Sequence, residues 1–240
     1  MISPYGLDIV ESCMNCKLRA DHIFCDLRGP TLQAFEKIKY TTAYPEGAVL
    51  FVEQQEPRGI FVICKGDVKL SASASNGKTM IVKIAEAGEV LGLSATVSGR
   101  PYEMTAVTID PCQISFVKRE DFLRFLRDDV QVCLKVAEQL SEKYYMVCDE
   151  IRSLGLSHSA AEKLAKLLLE WSSKNGESSK TEPRVKLRLT HEEIGQMIGT
   201  SRETVTRLLA DLKKHRILDA RGATLVIHDR AALREMANCN

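Results

Sequence analysis

Several things are missing from this 240-residue chain, and each absence narrows what it can be. The opening residues, MISPYGLDIVES, have no basic start and no apolar stretch, so no secretory leader is expected. No apolar run approaches the ~18 residues of a membrane helix, so no membrane partner is expected either. Low-complexity tracts are absent, and aromatics are scarce, at 6% with a single Trp. The common catalytic signatures are missing too: a Gly-rich phosphate loop, Gly-x-Ser-x-Gly, His-Glu-x-x-His, or a carboxylate pair in a catalytic setting. The chain therefore reads as a cytoplasmic protein that is not an enzyme.

The net charge of +1 hides an uneven distribution. From Ser157 onward there are 15 Lys and Arg against 11 Asp and Glu, a balance of +4. Residues 1–156 carry 18 against 21, a balance of −3. A basic back half joined to a mildly acidic front suggests a sensor attached to a polyanion binder. What the chain does have is cysteine, eight in all, with Cys13, Cys16 and Cys25 crowded into CMNCKLRADHIFC. In a reducing compartment such clusters bind metal or carry out redox chemistry more often than they form disulfides.

From about Tyr40 to Val117 short β-prone runs (VLFVE, GIFVICKG, VKLSASA, TMIVKIA, CQISFV) alternate with Gly-marked turns. Asn76-Gly77 predicts a type I′ hairpin. Many short strands with regular turns predict an antiparallel barrel or jelly roll. The period then changes. No Pro or Gly interrupts Asp121–Leu154, and Cys133, Ala137, Leu140, Tyr144, Val147, Ile151 and Leu154 recur in alternating steps of four and three. That heptad seam predicts a helix pairing with its own copy through Leu140, Tyr144, Val147 and Ile151. Gly155 ends this helix, and Ser157 or Ser159 caps the next.

The segment RLTHEEIGQMIGTSRETVTRLLADLKKHRIL predicts two helices and a tight turn. Thr190 and Glu193 form a capping box, Gly199 ends the first helix and Ser201 caps the second. Val205, Leu208, Leu209 and Leu212 face inward, which leaves Arg202, Glu203, Thr206 and Arg207 outward at the leading end. Arginine can donate two hydrogen bonds to guanine, and glutamate can accept one from cytosine. Lys213, Lys214, His215 and Arg216 could neutralise phosphates. ILDARGATLVIHD then reads as a hairpin around Arg221-Gly222, a wing beside the helix pair.

On EEIGQMIGTSRETVTRLLADL, the β segment, the long helix and their order, nearly the whole chain resembles the CRP/FNR family of bacterial transcription regulators. The resemblance implies an α+β protein with a cyclic-nucleotide-binding-like β-roll (jelly roll), a long dimerisation helix and a winged helix-turn-helix. The corresponding boundaries are 1–28 for the cysteine segment, 29–120 for the β-roll, 121–155 for the dimer helix and 156–240 for the DNA-binding part. It implies a homodimer on a palindromic site in double-stranded DNA that recruits or blocks RNA polymerase. Arg202, Glu203 and Arg207 would contact bases, with Thr206 between them and Thr190, Ser201 and Lys213 on the backbone. A half-site such as TGTGA or TTGAC is expected.

The family divides by signal. In AGEVLGLSATVSGRPYEMTA, Leu93 follows Gly92 where nucleotide-binding relatives carry Glu, and Tyr102-Glu103 stand where a phosphate-binding arginine belongs. A carboxylate there repels a phosphodiester, which argues against a cyclic nucleotide. Oxygen-sensing members hold a [4Fe-4S] cluster with three N-terminal cysteines and a fourth in the β-roll; Cys13, Cys16, Cys25 and Cys112 resemble that set. Eight residues separate Cys16 from Cys25, a longer gap than in the best-known oxygen sensors. The alternatives are zinc held by the three cysteines with His22 or Cys112, a thiol switch, or a small effector in the β-roll. Cys64 is expected to be a small core residue, Cys133 and Cys148 to pack on or near the helix seam, and Cys239 to lie in the tail.

Overall fold

A computed structural model of the chain describes residues 5–7, 9–10, 12–16, 24–155, 159–174, 184–186, 189–221 and 224–237. His22, Ser157, Gly222 and Cys239 lie outside the described residues, as do the side chains of Ile151 and Leu154. The chain divides into two compact units, residues 1–149 and 150–240.

The first unit is built on eight strands: β1 (Lys39–Tyr44), β2 (Val49–Phe51), β3 (Gly59–Lys65), β4 (Val68–Ser73), β5 (Thr79–Ala85), β6 (Val90–Leu91), β7 (Thr105–Thr108) and β8 (Cys112–Lys118). They form two antiparallel four-stranded sheets, ordered β1-β8-β3-β6 and β2-β7-β4-β5. Side chains alternate between faces along a strand, and the sequence uses both faces of the first sheet. Phe61, Ile63, Cys112 and Ile114 join Phe51, Leu70 and Ala106 of the second sheet in the inner core. Ile60, Val62 and Val117 point the other way, onto the helices that cover the outside. Those helices are α1 (Gly29–Ile38), α3 (Arg119–Asp128) and the start of α4 (Val130–Gly155). Between the strands, α2 (Leu93–Ser98) runs from the left-handed Gly92 to the left-handed Gly99.

Two predicted features differ in detail. The β4–β5 hairpin forms at Asn76-Gly77, but only Gly77 takes a positive φ, of 80°. Ala74 and Lys78 pair across a three-residue loop, the Gly77 amide donates to Ala74 O at 2.9 Å, and Asn76 Oδ1 accepts from the Lys78 amide. A three-residue loop with a left-handed Gly replaces the type I′ turn. The unbroken helix expected over Asp121–Leu154 is two helices. Asp129 stops α3 and caps α4, accepting from the Gln131 and Val132 amides, and Thr31 donates to its other oxygen at 2.6 Å.

The second unit contains α5 (Ala160–Lys174), β9 (Arg184–Lys186), α6 (His191–Ile198), α7 (Arg202–Lys214), β10 (Leu218–Arg221), β11 (Thr224–Ile227) and α8 (Arg230–Ala237). The hairpin β10–β11 takes β9 as a third antiparallel strand on the far side of β11. Leu164, Leu168, Ile194, Val205, Leu209, Leu212, Leu225 and Leu233 are buried in this unit. Ser159 caps α5, its hydroxyl accepting from the Glu162 amide.

Candidate functional site

The second unit presents the expected reading end. Thr190 and Glu193 make the reciprocal capping box, Gly199 is left-handed at φ 70°, and Ser201 Oγ accepts from the Thr204 amide. These features fix where α6 stops and α7 begins. Gly195 is the residue that sequence reasoning passed over: a Cβ there would lie 2.7 Å from Thr200 O, so the tight turn needs glycine. Beyond the turn, Arg202, Glu203, Thr206 and Arg207 are all exposed at the start of α7.

They are not equally free. Glu203 has its carboxyl held below the ordinary range, first by its own backbone amide and then by the Ser201 hydroxyl. Thr206 Oγ1 donates to Arg202 O at 2.9 Å and meets His191 Nδ1 at 2.9 Å, which ties the recognition helix to the start of α6. Lys213 Nζ sits 3.4 Å from Asp219 Oδ1. The two arginines are thus the outward cations of the helix start, flanked by groups already engaged in shaping it.

On α4 the burial splits lengthwise. Val132 and Val136 are buried in the outer core of their own unit, and Leu140 packs partly against it. Tyr144 and Val147, the next two seam positions, are 67% and 53% exposed, and Tyr145 and Met146 are exposed beside them. Cys133 is exposed and Cys148 half-buried. Lys143 turns back, Nζ donating to Val90 O at 3.1 Å, and burial pulls its pKa down.

The first unit distributes its cysteines over two faces. Cys13 opens a single 3-10 turn, Cys13–Asn15. Its amide donates to Glu36 Oε1 and its side chain packs on the outer core. Val10 is fastened to the same face by two bonds to the Gln113 side chain, at 3.0 and 2.7 Å. Cys25 lies between two buried residues, Phe24 and Leu27. Phe24 stacks on Phe35 and meets Phe122 edge-on. Asp26 reaches α4 through Lys135, 2.9 Å away.

Cys112 stands apart from this group. It is fully buried in the inner core. Its Sγ donates to Asp110 O and Asp67 O at 3.2 and 3.3 Å, with Asp110 Oδ1 at 3.6 Å. Burial, then the Asp110 charge, push the thiol up to about 12. A Cβ on Gly66 would strike its sulfur at 2.6 Å, so the space around Cys112 is already filled. Of the four cysteines suggested by resemblance, Cys112 thus lies in the inner core and Cys13 packs on the outer one. Among the described residues no three ligating side chains form a ready metal cage.

Cys64 is not the core residue expected. It falls where β3 slips register against β8, between Ile63 and Lys65. Alternation along β3 places it on the outer side with Ile60 and Val62. Cys64 Sγ lies 3.3 Å from Ser115 Oγ on the outer face. Burial raises its pKa, Ser115 opposes that, and Cys13 and Cys16 are near enough to add to the rise.

Where nucleotide-binding relatives carry their cassette, Tyr102 is fully buried. Its hydroxyl donates to Gly59 O at 2.8 Å and accepts from the Arg58 and Gly59 amides. Its ring stacks on Phe51 with centroids 4.1 Å apart. A Cβ on Gly92 would come within 2.6 Å of that ring.

Two family models match: a cyclic nucleotide-binding domain over residues 41–129 and a Crp-like helix-turn-helix domain over residues 162–236. The chain belongs to the CRP/FNR family of transcription regulators. It is a DNA-binding transcription regulator, and its relatives are regulators, not enzymes. It is 25% identical to the nitrogen fixation regulation protein FixK of Bradyrhizobium diazoefficiens, over 99% of this chain and 94% of that protein. It is 22% identical to the cAMP-activated global transcriptional regulator CRP of Salmonella typhimurium, over 83% of this chain and 94% of that one. The fold matches FixK2 from Bradyrhizobium japonicum, with a TM-score of 0.74 at 24% identity, covering 85% of this chain and 99% of that one. Among the described residues no helix is long and apolar enough to cross a membrane.

Proposed function

We propose that this CRP/FNR regulator acts in the cytoplasm as a homodimer on a two-fold related DNA site, recruiting or blocking RNA polymerase there, and that its N-terminal cysteine segment admits an oxygen or redox signal. The observation that carries the DNA-reading part is the capped, outward start of α7, where Arg202 and Arg207 stand exposed. Bidentate arginine–guanine bonds supply base choice, and Lys213 and Lys214 add phosphate contacts. The exposed Tyr144 and Val147 on α4 support pairing with a second copy. Pairing sets two recognition helices about 34 Å apart, one DNA turn.

For the signal, the packing around Cys25 supplies the route. Phe24 and Leu27 are buried against the same core that holds Val132 and Val136 of α4. Burying one such side chain is worth about 1.5–3 kcal/mol, whereas the exposed Asp26–Lys135 pair is worth ~0–1 kcal/mol. The aromatic and aliphatic anchors therefore dominate the coupling. A change at the thiols that displaces Phe24 loosens the start of α4 and with it the dimer seam. An iron–sulfur centre is the thiol-ligated group that confers oxygen sensitivity in relatives, and Cys13, Cys16 and Cys25 are the cysteines this segment offers to it. The buried Tyr102 leaves no cation where a cyclic phosphate needs one, which speaks against control by a cyclic nucleotide.

Site selection from random duplexes, followed by mobility shifts at several salt concentrations, tests the reading. The expected result is a dyad-symmetric site with half-sites like TGTGA or TTGAC and an affinity that falls steeply with salt. Retention without sequence preference would contradict it.

A further inference from the structure

His191, the first residue of α6, has no part in the caps or the base contacts described above. Its ring meets the recognition helix, with Nδ1 2.9 Å from Thr206 Oγ1. Thr206 has one hydroxyl proton, and that proton goes to Arg202 O at 2.9 Å. Toward the ring the Thr206 oxygen can then only accept, so Nδ1 must carry the hydrogen. This settles which nitrogen is spent on structure. Nε2 has no partner among the described residues. Thr206 is exposed between Arg202 and Arg207, so the half-buried imidazole stands at the edge of the outward face of α7. The charged side chains of this junction are Glu192 and Glu193 on α6 and Arg202, Glu203 and Arg207 on α7. Glu193 closes the capping box, and Glu203 is held by its own amide and by Ser201. On α5, which also meets α6, Glu162 is paired with Lys166 at 3.1 Å.

We infer that His191 is a further DNA-contacting residue: its Nε2 donates to a backbone phosphate beside the half-site, and the ring takes up a proton as the duplex binds. This rests on the reading of α7 as the helix that enters the major groove. In a helix-turn-helix the first helix crosses the phosphate backbone, and the start of α6 carries this ring to that side. With the Nδ1 hydrogen committed to Thr206, a neutral His191 offers only the Nε2 lone pair, which a phosphate oxygen repels. The imidazolium offers an N–H and a charge instead, a charge-assisted bond. The proton comes from solvent, and the Thr206 bond is kept in both forms. Histidine is the side chain for which such uptake falls between about pH 5 and 8. DNA binding by this chain is therefore linked to one proton per protomer. Thr206 is the positioning residue, because its oxygen holds the ring with Nε2 outward.

The test measures the affinity of the full chain for a duplex carrying its selected dyad site, at pH 8, 7 and 6 and at several salt concentrations. For the unaltered chain, affinity should rise about tenfold or more from pH 8 to pH 6. The salt slope should steepen by ~0.9 for each protomer's added phosphate contact. His191→Asn keeps a donor for Thr206 but has no Nε2. It should unfold at the same denaturant concentration, bind close to the unaltered chain at pH 8, and lack the gain at pH 6. Any pH dependence left in His191→Asn belongs to other groups, such as His215, and is subtracted. Thr206→Val removes the ring's acceptor and should blunt the gain with His191 still in place. Equal pH profiles for the unaltered chain and His191→Asn would overturn the inference. So would an affinity that falls toward pH 6 only when His191 is present, which would make Nε2 an acceptor from a base. A chain that selects a site but shows no difference from His191→Asn sinks this inference alone; one that selects no site at any pH sinks the reading of α7 as well.

Discussion

The two units assemble their working groups in opposite ways. In the DNA-binding unit, Arg202, Glu203, Thr206 and Arg207 are neighbours in sequence on one helix, and their positions follow from the caps at Thr190 and Ser201. In the β-roll unit, the groups that gather on the outer face come from Val10, Cys13, Glu36, Lys39, Cys64, Gln113 and Ser115. Local chemistry places the first set; strand alternation and strand pairing place the second. Changes to the reading helix should therefore act on DNA choice alone. Changes to the β-roll should act through packing and reach DNA indirectly.

The sharpest way to break that contrast is at α4. Tyr144→Asp or Val147→Asp puts charge on the exposed apolar face, and sedimentation should show monomers. Affinity for a dyad site should fall by about two orders of magnitude or more, because two half-sites are no longer engaged together. Next come the readers. Arg202→Ala or Arg207→Ala should each cost about 1–3 kcal/mol and relax preference at a base pair, measured by competition among single-base operator variants. Glu203→Ala should do the same at one position; a uniform loss across all sequences would mean that Glu203 only shapes the helix start, as its bonds to its own amide and Ser201 permit.

Tyr102→Phe probes the other unit. It leaves Gly59 O and two amides without their buried partner. About 1–3 kcal/mol of stability should be lost in denaturant unfolding, with base preference unchanged. Ser201→Ala should cost about 1 kcal/mol through the lost cap. The smallest effect concerns Asp129. Its pKa is lowered, chiefly by the Thr31 hydroxyl and then by the Val132 amide. A lowered carboxyl pKa gives stability that is present above the ordinary aspartate value and lost as pH falls through the lowered one. Asp129→Asn should flatten the acid limb of the stability curve in that window, with the stability lost at neutral pH and little difference left below the window.

The same contrast explains what could be read in advance. The capping box, the left-handed Gly199 and the outward arginines are all set by spacings of three to five residues, so sequence alone located them. Five strands and the wing hairpin were legible for the same reason. Cys64 was not: IFVICKG reads as a plain buried strand, and its partner on the outer face, Ser115, comes from β8, some fifty residues away. Cys112 was chosen by position along the chain, yet strand alternation sends it inward. The stop at Asp129 was also hidden, because its Thr31 partner comes from α1. The role of Gly195 shows only once the turn brings Thr200 O against it.

The most direct test of the whole account is the affinity of the full chain for its selected dyad site, measured without oxygen and again after air exposure of the same sample. The account predicts that affinity falls at least tenfold in air, with a parallel shift from dimer to monomer. Equal affinity and unchanged assembly before and after exposure, with the thiols verified as oxidised, would contradict it.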